Sequence, residues 1–198
     1  MKETGKPKGK ISIHALNIAQ IGLFAALMSA GARINIPGPI VPFSPQLFLA
    51  VLCGVLLGAK KGVTAMGVYV ALGLAGAPVF TNGGGFHYVL QPTFGYLLGF
   101  ILAAFLAGIM SDAVLRRDGK LKFGKLILIS ALCIAADYLC GAVYYAAMMS
   151  FYLGTPKEIS FIMMNFVVPF MLTDGLWCLV IASVAPRLKK ALARYGQE

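Results

Sequence analysis

The chain has 198 residues, 59% of them hydrophobic and 12% charged, with 23 glycines and a mean hydropathy of +0.83, where soluble domains carry roughly 45–50% apolar and about 25% charged residues. These proportions indicate an all-α membrane protein and exclude a soluble enzyme, a disordered chain, a collagen and a coiled coil. The formal net charge of +10 is that of basic loops at a membrane surface, not of a nucleic-acid-binding face.

Six charge-poor stretches predict six transmembrane helices, each needing about 20 apolar residues in the ideal case. Residues 1–11 form a basic tail with Lys2, Lys6, Lys8 and Lys10. The first span, 12–32, is long for a signal-peptide core, so the cleavage-like Ala30-Gly31-Ala32 is expected to be retained. Gly22, Ala26 and Ala30, four apart, give this helix one smooth face, fit for a neighbouring span or for a separate subunit. Residues 36–45 follow with Pro37, Pro39, Pro42 and Pro45, which cannot continue a helix and keep the chain extended.

The second span, 46–58, and the third, 62–77, are expected to form a hairpin divided at Lys60-Lys61-Gly62. Residues 78–92 contain Gly83-Gly84-Gly85 between apolar and aromatic residues, which reads as a lid over a binding site or as a passive linker. The run does not match a phosphate-binding G-x-x-x-x-G-K-[ST] loop and no such motif occurs elsewhere, so the chain has no ATPase of that kind. The fourth span, 92–111, ends at Asp112, and the polar run Arg116 to Lys125 separates it from the fifth, 126–151. A sixth, 159–185, leads to a basic tail, 187–198. The expected organisation is thus one membrane domain, 12–186, between two tails.

With the N-terminus inside, every one of the 17 Lys and Arg except Arg33 and Lys157 falls on an inner segment, as the positive-inside rule requires. Five or seven spans would break that segregation. Both termini are therefore expected in the cytoplasm.

Two acids stand inside spans, where a charge costs at least roughly 2.5–3.5 kcal/mol and is a functional candidate by default. Asp137 follows Lys125 by 12 residues and Asp174 precedes Arg187 by 13, which places both roughly 18–20 Å from the inner face. At one depth on successive helices they suit ligand donors, a proton relay or helix–helix hydrogen bonds. Asn165 is a third intramembrane polar group, and Tyr144 and Tyr145 fit either the same cavity or an outer aromatic belt. The cysteines Cys53, Cys133, Cys140 and Cys178 lie in apolar runs without C-x-x-C spacing, and His14 and His87 lack a second ligand, so no metal is expected. No serine has a partner base in a recognisable arrangement.

Pro42-Phe43-Ser44-Pro45-Gln46-Leu47-Phe48, then Gly54-Val55-Leu56-Leu57-Gly58-Ala59-Lys60-Lys61-Gly62, then Gly76-Ala77-Pro78-Val79-Phe80 with the glycine loop, and Gln91-Pro92-Thr93-Phe94-Gly95-Tyr96-Leu97-Leu98-Gly99-Phe100 together resemble the BioY family, the biotin-specific S components of energy-coupling factor (ECF) transporters. The resemblance is strong over residues 15–110. It implies a six-helix S-component bundle in a bacterial plasma membrane that binds biotin near its outer side and needs no cofactor. It also implies docking to a transmembrane coupling subunit driven by two ATPase subunits.

Carried onto this chain, the family's small-residue docking motif falls on Ala26 and Ala30, with Gly22 on the same face. Its glycine-rich loop with an Asn falls on Asn82, Gly83 and Gly84, and its binding Asp on Asp174. Tyr96, Gln91, Asp137 and Tyr145 complete the candidate binding residues. The family's Gly-Asp-x-x-Lys on the last helix is replaced by Thr173-Asp174-Gly175-Leu176-Trp177, so the cation for a biotin carboxylate is missing and Arg33 is the expected substitute. Alternatives are an S component for another small vitamin or biotin precursor, and a proton-coupled secondary transporter built on Asp137 and Asp174. The absence of an evident inverted repeat disfavours the second.

Overall fold

A computed structural model describes residues 13–34 and 44–195; the expected tail 1–11 and most of the proline-rich connection 36–45 lie outside them. Among these residues the chain is all-helical apart from one isolated bridge between Phe80 and Gly83. Its helices are α1 (Ile13–Arg33), α2 (Gln46–Leu57), α3 (Ala59–Leu74), α4 (Phe94–Asp118), α5 (Phe123–Ala147), α6 (Ile159–Phe166) and α7 (Val168–Tyr195). A 3₁₀ turn, Phe86–Leu90, precedes α4, and a π-helical turn, Met148–Tyr152, extends α5.

Among the described residues, four helical stretches are long and apolar enough to cross a membrane: Ile13–Arg33, Phe94–Asp118, Phe123–Tyr152 and Val168–Leu192. Their outward side chains are apolar, with Ile18, Leu128, Leu139, Leu172 and Leu176 exposed. That surface suits lipid and not water. At 12 residues, α2 is only about 18 Å long, and most of it is buried, from Gln46 and Leu47 to Ala50 through Leu56. A helix buried on nearly all sides sits inside the bundle, which is why it is apolar without a polar face.

The centre of the bundle is α4, packed on α2, α3 and α5. Small residues let the backbones approach: a Cβ on Gly54 of α2 would overlap the Ala104 carbonyl oxygen of α4, and one on Gly108 of α4 would overlap the backbone of Ala59. In a membrane, such close packing supplies association that the hydrophobic effect does not.

Four expected boundaries are corrected. The α2–α3 hairpin turns at Gly58, not at Lys60-Lys61-Gly62: Gly58 takes φ +80°, a left-handed conformation that only glycine adopts without strain, and the two lysines join the first turn of α3. The last span is not one helix over 159–185. It breaks at Val167 between α6 and α7, because Pro169 has no N–H to give and its ring clashes with the carbonyl four residues back. Finally, α4 continues past Asp112 to Asp118, where Gly119 caps it at φ +70°, and α7 runs beyond residue 185 through Pro186 to Tyr195.

At the basic end of the bundle the extension of α7 is tied down. Lys189 Nζ donates to the Val55 carbonyl at 2.8 Å and to Asp112 Oδ1 at 3.2 Å, joining α7 to α2 and α4. The pair is partly solvated, so its contribution is about 1 kcal/mol. Lys189→Ala is expected to lower the thermal midpoint in detergent by roughly 2–4 °C, read in a thermal-shift assay. An unchanged midpoint contradicts a stabilising role.

Candidate functional site

The segment between α3 and α4 is an ordered cap on the opposite end of the bundle. Gly85 N–H donates to the Gly73 carbonyl at 2.7 Å, and Phe80 and Gly83 exchange backbone hydrogen bonds of 2.8 and 3.2 Å. Phe80 and Tyr88 are buried against each other, with ring centroids 4.5 Å apart. The Phe80 ring fills the space above Gly73, where any Cβ would collide with it. Burial raises the Tyr88 hydroxyl above the ordinary tyrosine range, offset in part by a hydrogen bond with the backbone of Asn82. Two side chains from the bundle hold the cap: the Arg33 guanidinium donates to the Pro78 carbonyl and the Tyr144 hydroxyl to the Val89 carbonyl.

Beneath this cap lies a half-open cavity lined by the cap, α2, α4, α5 and α7. Thr81, Asn82 and Tyr88 of the cap line its roof, and Ser44, Gln46 and Leu47 at the start of α2 line one wall. Thr93 and, from α4, Tyr96, Leu97 and Phe100 form a second wall. Asp137 and Tyr138 of α5 and Phe170 and Asp174 of α7 complete the lining. No lysine or arginine is among these residues.

The polar groups are ordered by one another. Tyr138 donates its hydroxyl to Asp174 Oδ2. Gln46 Nε2 donates to the Tyr69 hydroxyl at 2.7 Å, Ser44 Oγ to Gln46 Oε1 at 3.1 Å, and Tyr69 in turn to the Val79 carbonyl at 3.3 Å. That chain runs from α2 through α3 to the cap, so cavity wall and cap are mechanically linked. Asp174 is 8% and Asp137 1% exposed. Two carboxyl groups so deep in an apolar bundle are costly unless a partner or ligand meets them.

Of the residues singled out from sequence, Asp174, Asp137, Tyr96 and Asn82 line the cavity. Gly83 and Gly84 do not; they shape the cap, Gly83 at φ +104° and Gly84 where a Cβ would overlap the Ala77 carbonyl. Gln91 caps the 3₁₀ turn with its N–H to the Tyr88 carbonyl, and Tyr145 is buried in α5 away from the lining. Arg33, expected to meet a carboxylate, stands outside the lining on the carbonyl of Pro78. Trp177, at the position of the missing lysine, stacks on Phe48 with centroids 4.5 Å apart. Asn165 donates to the Phe161 carbonyl of its own helix at 2.8 Å. Gly22, Ala26 and Ala30 lie together on the exposed face of α1, and a Cβ on Gly22 would meet nothing within 4 Å.

Tyr138 and Gln46 were not singled out from sequence. A tyrosine next to an intramembrane acid, and a glutamine opening an otherwise apolar span, were the available signals.

The BioY family model matches residues 4–194. A probable biotin transporter BioY of Lysinibacillus sphaericus is 40% identical over 177 residues, covering 88% of this chain and 87% of that protein. The biotin transporter BioY of Thermotoga maritima is 36% identical over 174 residues, covering 87% and 95%. A solved structure described as the S-component for biotin from an ECF-type ABC transporter superposes with a TM-score of 0.76 at 24% identity, covering 89% of this chain and 92% of that one; at that identity the likeness speaks for the fold alone. Matched along nearly its whole length by the family model and by relatives of similar size, the chain belongs to the BioY family.

Proposed function

We propose that this protein is the membrane subunit that captures biotin for uptake, and that it is not an enzyme. The observation that carries this is the cavity itself: an acid-bearing pocket roofed by an ordered cap, inside an otherwise apolar bundle, in a chain of the BioY family. In this reading Asp174 accepts an N–H of the ureido ring, Asn82 in the cap binds the ureido carbonyl, and the aromatic wall of Tyr96 and Phe100 packs on the fused rings. Gly83 and Gly84 give the cap its shape, Gln91 fixes its far end, Tyr145 backs the α5 wall, and Arg33 holds the cap from α1.

The finer topology belongs to the same proposal. The chain crosses the membrane six times within residues 12–186, with α2 and α3 as short crossings and α6 with α7 as one broken crossing. Both tails lie in the cytoplasm and the cap faces outward, an orientation supported by the segregation of cations. The exposed small-residue face of Gly22, Ala26 and Ala30 docks a transmembrane coupling subunit, which two ATPase subunits drive, since this chain has no ATP-binding motif of its own.

Uptake of labelled biotin by cells, with and without the coupling and ATPase subunits, tests the assignment. Uptake is expected only with them; accumulation by the lone protein that follows a pH gradient favours a proton-coupled carrier instead. Tyr138→Phe frees Asp174 Oδ2 from its fixed partner and is expected to weaken biotin binding by about threefold to tenfold, one hydrogen bond's worth. Titration calorimetry measures it, and unchanged affinity contradicts the positioning of Asp174 by Tyr138.

A further inference from the structure

Asp137 is 1% exposed, lines the cavity, and its Oδ1 has no hydrogen-bond partner among the described residues. Its carboxyl group sits in the notch left by Gly99 of α4, where any Cβ would collide with Oδ1. The adjacent Tyr138 hydroxyl is taken up by Asp174. A buried polar atom left unmet costs about 1–3 kcal/mol, more when charged. Oδ1 of this acid, on the same cavity as Asp174, is left for a donor that the described residues do not supply.

We propose that Asp137 is a second ligand-contacting acid, receiving from the α5 wall an N–H of the same ring that Asp174 meets from α7. This rests on the biotin reading, whose cyclic urea offers two N–H donors and leaves the second without an assigned acceptor. Two acids and no lysine or arginine in the described lining make the floor of the cavity selective for a head group rich in donors, neutral or cationic. The anionic tail of the ligand then points away from these two acids, toward the hydroxyl groups of Ser44 and Thr81.

The test is calorimetric titration of the detergent-purified protein with biotin and with 2-iminobiotin, whose guanidine head is protonated at neutral pH. In the wild type, 2-iminobiotin is expected to bind at least as tightly as biotin. In Asp137→Asn, biotin is expected to bind about five- to twentyfold more weakly and 2-iminobiotin to lose more than that. Equal affinities of wild type and a folded Asp137→Asn for both ligands would show a purely structural acid and overturn the proposal. The wild-type comparison stands even where the variant fails to fold: weakening of more than tenfold for 2-iminobiotin relative to biotin overturns it too. Failure of the wild type to bind biotin at all removes the biotin reading and this proposal with it, an outcome distinct from the other two.

Discussion

Replacing Asp174 with alanine is expected to weaken biotin binding more than tenfold while leaving the protein folded. Asp174 lines the cavity and is 8% exposed, so the hydrogen bond its carboxylate accepts from a ligand is charge-assisted and shielded from water, a class worth about 1.5–3 kcal/mol. Each 1.4 kcal/mol is tenfold in affinity. Removing the acid also leaves the Tyr138 hydroxyl without its acceptor, so folding is checked separately by size-exclusion elution and a thermal midpoint. Calorimetric titration then reads the affinity. Full affinity in a folded Asp174→Ala protein contradicts the assignment of this residue.

The second large effect separates transport from binding. Ala26→Leu with Ala30→Leu places two bulky side chains on the exposed face of α1. Binding of biotin by the isolated protein is expected to stay within about twofold of wild type, whereas uptake in cells carrying the coupling and ATPase subunits is expected to fall to background. The physical cause is the loss of close backbone approach that small residues permit between helices in a membrane. Equal uptake by the double variant contradicts docking at this face, and loss of binding would show that the face packs within the bundle instead.

Much of this arrangement is legible in sequence because lipid imposes simple rules. Apolar run length marks the long helices, and α5 with its π turn falls close to the expected 126–151. The glycine-rich stretch between Pro78 and Pro92 reads from composition as a lid or as a passive linker, and it is an ordered cap. Counting residues from the basic ends put Asp137 and Asp174 at one depth, and both line one cavity.

What sequence hid depends on single residues inside apolar runs. Hydropathy averages over Pro169, so one span was expected where the proline splits α6 from α7. The charges of Lys60 and Lys61 suggested a turn that the positive φ of Gly58, two residues earlier, makes instead. Arg33 has the right charge and end of the helix for a carboxylate, but hydrogen-bond geometry gives it to the cap backbone. Tyr138 is adjacent to an acid in sequence, yet its hydroxyl meets the other acid, 36 residues away, a pairing that only the crossing of α5 and α7 creates.

Whether the capped cavity is a biotin site is decided by titration of the purified wild-type protein with biotin, in competition with other small vitamins. Saturable one-to-one binding of biotin is expected, undisturbed by unrelated vitamins and weakened more than tenfold in Asp174→Ala. A folded protein that takes up no biotin, or that binds another vitamin in preference, contradicts it.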